Sequence, residues 1–157
     1  MKQHLCAFFL LAILPFSLTA STGNKETQYV GGTLPIKELT EGKSSIDNQR
    51  VFVFEYKSGK ELMCWEIPYT KIDTLEYGQK VGRRVGLSVV VSPLALLSKK
   101  RKHFLTIGYF DAAAKKQAAV FELGKSTIRA TLAVLETRSG KRIEYQDEEA
   151  RKSGRGK

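Results

Sequence analysis

Nucleophilic chemistry has few candidates in this chain. Of its two cysteines and two histidines, Cys6 and His4 fall within the first twenty residues, leaving Cys64 and His103. A thiol and an imidazole make a nucleophile and base when a third group orients the imidazole. No such third group is evident, and Cys64 lies in the apolar run Leu62-Met63-Cys64-Trp65, where a free cysteine packs as a small hydrophobe. Burial of Cys64 is therefore expected, and a small Cys/His hydrolase is the weakest functional reading. One cysteine and one histidine are too few for a zinc cluster. Gly31-Gly32-Thr33-Leu34 lacks the lysine of a phosphate-binding loop. Asp147, Glu148 and Glu149 read as a solvated charge run rather than a catalytic carboxylate pair. The sequence thus predicts no catalytic residue, no metal and no cofactor.

The more suggestive chemistry is electrostatic. Pro93-Leu94-Ala95-Leu96-Leu97-Ser98 runs into Lys99-Lys100-Arg101-Lys102, an apolar loop beside a basic cluster. Leu94, Leu96 and Leu97 can enter a head-group boundary while Lys99, Lys100, Arg101 and Lys102 meet anionic lipid, each charge contributing about 1 kcal/mol. The same pattern also arises where a strand leaves a core and its basic neighbours stay solvated. Lys80, Arg83 and Arg84 form a second basic patch that need not share that surface. His103 follows these charges, and its pKa is expected to fall beside them. It also reads simply as the last polar residue before a strand.

The first twenty residues say where such chemistry would operate. Lys2, the apolar Leu5 to Leu14 and the small residues ending at Ala20 have the layout of a secretory signal peptide. Taking those 20 from 157 leaves 137 residues, enough for one domain with a core. Removing Lys2 leaves 25 lysines and arginines against 16 acids, a net charge of +9. For a protein exported to the periplasm or beyond, this charge points to an anionic membrane surface or an envelope polyanion. A protein partner is the alternative, with an exposed sheet edge taking up an extended peptide. Nucleic acid fits poorly: export argues against it, and Tyr29, Trp65 and Tyr109 are not regularly interleaved with basic residues. With Cys64 the only thiol left, no internal disulfide can staple the core.

The elements that would position these groups are mostly strands. Residues 21–28 read as a flexible lead-in. A first short strand follows at Tyr29 to Leu34, its glycine pair marking a bulge or close backbone approach. Gly42 to Asn48 reads as a loop. Arg50 to Tyr56 and Glu61 to Ile67 form a hairpin, with Phe52, Phe54 and Tyr56 on one face. Tyr69 to Tyr77 continues as a strand, and Val85 to Val91 is β-branched. Phe104 to Phe110 and Gln117 to Leu123 form a second hairpin with an exposed tip. Ile128, Leu132 and Leu135 fall at helical spacing between an N-cap at Ser126 and Gly140 at C′. Lys141 to Tyr145 reads as a short extended segment, and 146–157 as a disordered charged tail.

Strands in hairpins followed by one helix make an α+β domain: a bent antiparallel sheet, a partly open barrel, closed by a C-terminal helix. This order resembles the pleckstrin-homology-like fold and its bacterial GRAM-like relatives. The resemblance is carried by Gly32-Thr33-Leu34, by Ile67-Pro68-Tyr69-Thr70-Lys71-Ile72 and by Phe121-Glu122-Leu123. The chain also resembles a set of uncharacterised exported bacterial proteins, through its Gly31-Gly32-Thr33 start, the basic run before His103-Phe104-Leu105-Thr106-Ile107, and Leu135-Glu136-Thr137-Arg138. The likeness spans 29–145 and implies a PH-like binding or scaffold domain rather than a particular activity.

Overall fold

The computed structural model describes residues 24–79 and 102–156. The leader, the Val85 to Val91 run, Lys80, Arg83, Arg84 and the 94–101 part of the basic loop lie outside the described residues. Eight strands form one curled half-barrel sheet, and two short helices follow in the C-terminal part.

The sheet consists of two meanders joined at a seam. The first contains β1 (Asn24–Gly32), β2 (Thr40–Ser45), β3 (Val51–Ser58) and β4 (Glu61–Pro68). The second contains β5 (Ile72–Gly78), β6 (Phe104–Phe110) and β7 (Lys116–Leu123). Antiparallel pairing of β1 with β7 joins them, and β8 (Ile143–Tyr145) adds in parallel to β5, giving the order β4-β3-β2-β1-β7-β6-β5-β8. The register shifts between Tyr29 and Gly31 at the seam, where the glycine pair sits. Gly32 there has φ +139°, and the Thr33 backbone N–H donates to the Ala118 carbonyl at 2.8 Å.

Period-two alternation decides which side chains enter the core. Phe52 and Phe54 of β3 and Ile67 of β4 point inward and are fully buried. Phe121 lies at the centre of an aromatic cluster, with ring centroids 5.1 Å from Phe54, 5.5 Å from Phe52 and 5.9 Å from Tyr29. Helix α1 (Ile128–Ser139) lays Ile128, Thr131, Leu132 and Leu135 against this core. Gly140 ends it in the left-handed conformation, at φ 69°. The N-cap is Thr127 rather than Ser126; its hydroxyl donates backward to the Gly124 carbonyl instead of capping the helix. Arg138, in the last turn, ties α1 to the β2–β3 connection. Its Nη1 donates to the carbonyls of Ile46 and Asn48, at 2.5 and 2.7 Å, and the guanidinium lies over the Tyr69 ring.

Several expectations are corrected. The segment expected as a loop at Gly42 to Asn48 largely belongs to β2, which is held by its neighbours' ladders although only Ser44 of it is buried. The lead-in expected over 21–28 already enters β1 at Asn24. Tyr69–Lys71 is a 3-10 turn before β5. The tail expected to be disordered forms a second helix, α2 (Glu148–Arg155). The Asp147 side chain caps it by accepting from the Ala150 N–H at 2.7 Å. Glu148 and Glu149 fill its first turn and Lys152 and Arg155 its last, the arrangement that suits the helix dipole. Its buried residues are Ala150 and Gly154, whose small size lets the helix backbone approach the sheet. A Cβ on Gly154 would come within 2.7 Å of the Tyr145 ring and 3.0 Å of Leu132.

Candidate functional site

Among the described residues, β4 is the long edge strand of the sheet, with the three-residue β8 at the other end. The only strand partner of β4 among the described residues is β3, in a register that runs from Val51 opposite Pro68 to Ser58 opposite Glu61. The closing pair Ser58 and Glu61 flanks a two-residue turn at Gly59-Lys60, with Gly59 at φ 64°. A two-residue hairpin closes on a hydrogen-bonded pair, and such pairs then alternate along the ladder. Met63, Trp65 and Ile67 therefore bond inward to β3. The N–H and C=O groups of Leu62, Cys64 and Glu66 project from the free edge.

The side chains on this edge are unusual for a solvent-facing strand. Leu62 is 69% exposed and Met63 40%, and both are among the few large hydrophobic side chains left exposed among the described residues. Cys64 is also exposed, correcting the expectation of a buried core cysteine. Its strand carries an apolar run, but Cys64 pairs with Glu55 on the face turned away from the core. Partial desolvation, with the Glu66 and Glu55 carboxylates nearby, raises the thiol above its ordinary pKa, so it is protonated at neutral pH.

His103 sits elsewhere. Its Nδ1 is 2.6 Å from the Tyr77 hydroxyl, and the two rings stack. The same hydroxyl lies 3.3 Å from Ser153 Oγ on α2, so Tyr77 links β5, the entry to β6 and the C-terminal helix. Burial lowers the His103 pKa first and Lys125 adds to it, while Glu122 opposes. The leading cause is burial. Cys64 is exposed on the outer face of β4, whereas the His103 ring is stacked on Tyr77 and bonded to its hydroxyl, so the two do not form a nucleophile–base pair.

Of the predicted surface-binding residues, only Lys102 lies within the described chain. Its ammonium forms an ion pair with Glu122 at 2.6 Å. The pair lines an open polar cleft of about 560 Å³, together with Thr27, Gln28, Glu41 and Gly42. Leu94, Leu96, Leu97, Lys99, Lys100 and Arg101, like Lys80, Arg83 and Arg84, lie outside the described residues. Among the described residues no group of three or more His, Cys, Asp or Glu side chains is arranged to hold a metal ion, and no helix is long and apolar enough to cross a membrane.

The edge strand is the candidate site that the sequence did not locate. Its one available signal was the apolar run at Leu62 to Trp65, which reads equally as core. Among the described residues, fold and edge together define an α+β half-barrel domain whose long β4 is paired on one side only. No protein-family model and no curated protein matches the chain.

Proposed function

We propose that this protein is a non-enzymatic binding module that takes up an extended protein segment by strand addition along β4. The observation that carries this reading is the eight-residue β4 at the end of the sheet, with Leu62 and Met63 exposed on it. Free edges are ordinarily short, covered or strongly charged, because they template pairing with other chains. Main-chain bonds to Leu62, Cys64 and Glu66 would supply affinity, and alternate side chains would supply selectivity. A four-strand meander, a three-strand meander and a helix, in that order, support the pleckstrin-homology-like assignment of the fold. The signal-peptide layout of residues 1–20 supports a place in the bacterial envelope.

The test uses a fluorescent heptapeptide of alternating valine and lysine, titrated into the protein while amide exchange is followed. Protection of the Leu62, Cys64 and Glu66 amides that persists in 0.5 M salt is expected, because salt screens exposed charges and leaves main-chain hydrogen bonds in place. Binding without protection of those amides overturns the reading.

A second reading, weak attachment to an anionic surface through 94–102, is favoured by the net charge of +10. The Lys102–Glu122 pair counts against it, because a paired ammonium is less free to meet a phosphate. Co-sedimentation with anionic vesicles that fades with salt, and disappears when Lys99, Lys100, Arg101 and Lys102 are all replaced by Glu, is the outcome that would favour it.

A further inference from the structure

Resting on the strand-addition reading, we infer that the segment taken up is β4 of a second copy of this chain, giving a two-fold dimer in which Cys64 faces its counterpart. A strand pairing with its own copy across a free edge must run antiparallel about a two-fold axis. The outward-bonding residues of β4 then pair with one another, so the axis falls on one residue of the strand. With the axis on Cys64, Met63 lies opposite Trp65 of the second copy and Leu62 opposite Glu66. Glu61 then lies opposite Ile67.

This register suits the side chains. No like charges meet in it, whereas centring on Glu66 would place two carboxylates face to face, which is destabilising. Met63, 40% exposed in the isolated chain, gains an aromatic neighbour. Lys57, which pairs with Leu62 across the hairpin, extends the row that ends on Glu66 of the second copy. Each end of the interface thereby matches a cation with a carboxylate, two strands apart and within reach of long side chains. The thiols take up the centre. Opposite residues of a hydrogen-bonded antiparallel pair have Cα atoms about 5.5 Å apart, within the roughly 4.4–6.8 Å that a disulfide spans.

One eight-residue strand against its copy buries less than the roughly 1,200–2,000 Å² of a standard interface. The dimer is therefore reversible and grows in with concentration.

The test is made on the full chain carrying Cys6→Ser, so that Cys64 is its only thiol. Diamide is the oxidant: it takes two electrons and two protons from the facing thiols, its N=N bond being reduced to the hydrazine as the S–S bond forms. The expected product runs at twice the 17.6 kDa monomer on a non-reducing gel and is lost in Cys64→Ser. Register is read with two further chains, Leu62→Cys and Glu66→Cys, each also carrying Cys64→Ser. Mixed together they should cross-link, and each alone should not. Sedimentation without oxidant should show mass doubling with concentration, lost in Met63→Lys without change in the thermal midpoint. Cross-linking of Leu62→Cys or Glu66→Cys alone, as readily as in the mixture, overturns the register and with it the proposal. A chain that stays monomeric and does not cross-link, while the valine–lysine peptide still protects Leu62, Cys64 and Glu66, overturns self-pairing and leaves strand addition standing. Failure of both measurements removes both readings.

Discussion

Replacing Gly32 by Ala tests the seam on which the half-barrel depends. Gly32 has φ +139°, a region side chains with a Cβ rarely adopt. A Cβ there would overlap the Ala118 carbonyl oxygen and reach within 3.1 Å of Ala119 Cα, both of them backbone. Neither can swing aside as a side chain would. The Ala118 carbonyl is also bracketed by Thr33, accepting from its N–H at 2.8 Å and its hydroxyl at 3.2 Å, while the Ala118 N–H donates to that hydroxyl at 3.0 Å. Strained backbone at such a φ costs about 1–3 kcal/mol. Each hydrogen bond lost as the seam opens costs about 0.5–1.5 kcal/mol. With two of the three bonds lost, the whole effect is about 2–6 kcal/mol, against a typical total stability of about 5–15 kcal/mol.

Urea unfolding of the two chains, followed by tryptophan fluorescence, measures the difference. With a slope of about 2 kcal/mol per molar urea, the midpoint should fall by roughly 1–3 M. Gly59→Ala is the control: its φ is also positive, at 64°, but a Cβ there meets nothing within 4 Å. That variant should lose only the conformational part, about 1–2 kcal/mol. A Gly32→Ala loss no larger than that of Gly59→Ala would refute the reasoning, because it would mean the seam yields to a Cβ without breaking.

Arg138→Met keeps most of the apolar stem but removes the donor to the Ile46 and Asn48 carbonyls, and should cost about 1.5–3 kcal/mol in the same urea assay. Because burial holds the His103 pKa below its ordinary value, the unfolded chain takes up its proton first. Its contribution to stability is present above about pH 6.5 and is lost as pH falls from there through the folded value. Thermal midpoints measured from pH 7.5 to 5 should therefore drop less in His103→Gln than in the parent. Tyr29 is pushed up to about 12 by burial, and burial also raises Tyr69, Tyr77 and Tyr109. In an absorbance titration at the phenolate band these four of the six tyrosines should ionise late, above pH 10, with stability falling as the unfolded chain deprotonates first.

Much of the sheet was legible because its strands carry their own signal. Val51 to Tyr56 alternates, Phe104 to Phe110 is apolar and β-rich, and the glycine pair in β1 marks both the bulge and the close approach to β7. Helix α1 was legible from Ile128, Leu132, Leu135 and Gly140. What stayed hidden lacks an apolar pattern. Thr40–Ser45 is polar throughout and becomes a strand because β1 and β3 both offer it a ladder. Helix α2 buries Ala150 and Gly154, which contribute little hydrophobicity, so its packing is invisible to any reading that counts large apolar residues. Cys64 was misplaced for the converse reason. A hydrophobic run cannot say whether its strand ends up inside the sheet or at its edge, and that depends on the order of all eight strands.

That order also separates the groups that hold the fold from those left on the edge of the sheet. The aromatic cluster around Phe121, the Gly32 seam and the contacts of Arg138 hold β1, β7, β3 and α1 together. Leu62, Cys64 and Glu66 contribute side chains that are exposed and backbone groups that β3 does not use. Changing them removes little that the folded monomer relies on, since surface substitutions usually stay within about 0.5 kcal/mol. A variant at these positions that abolishes association yet unfolds with its parent therefore reports on the edge itself. One that loses both would show that β4 needs a partner in order to fold.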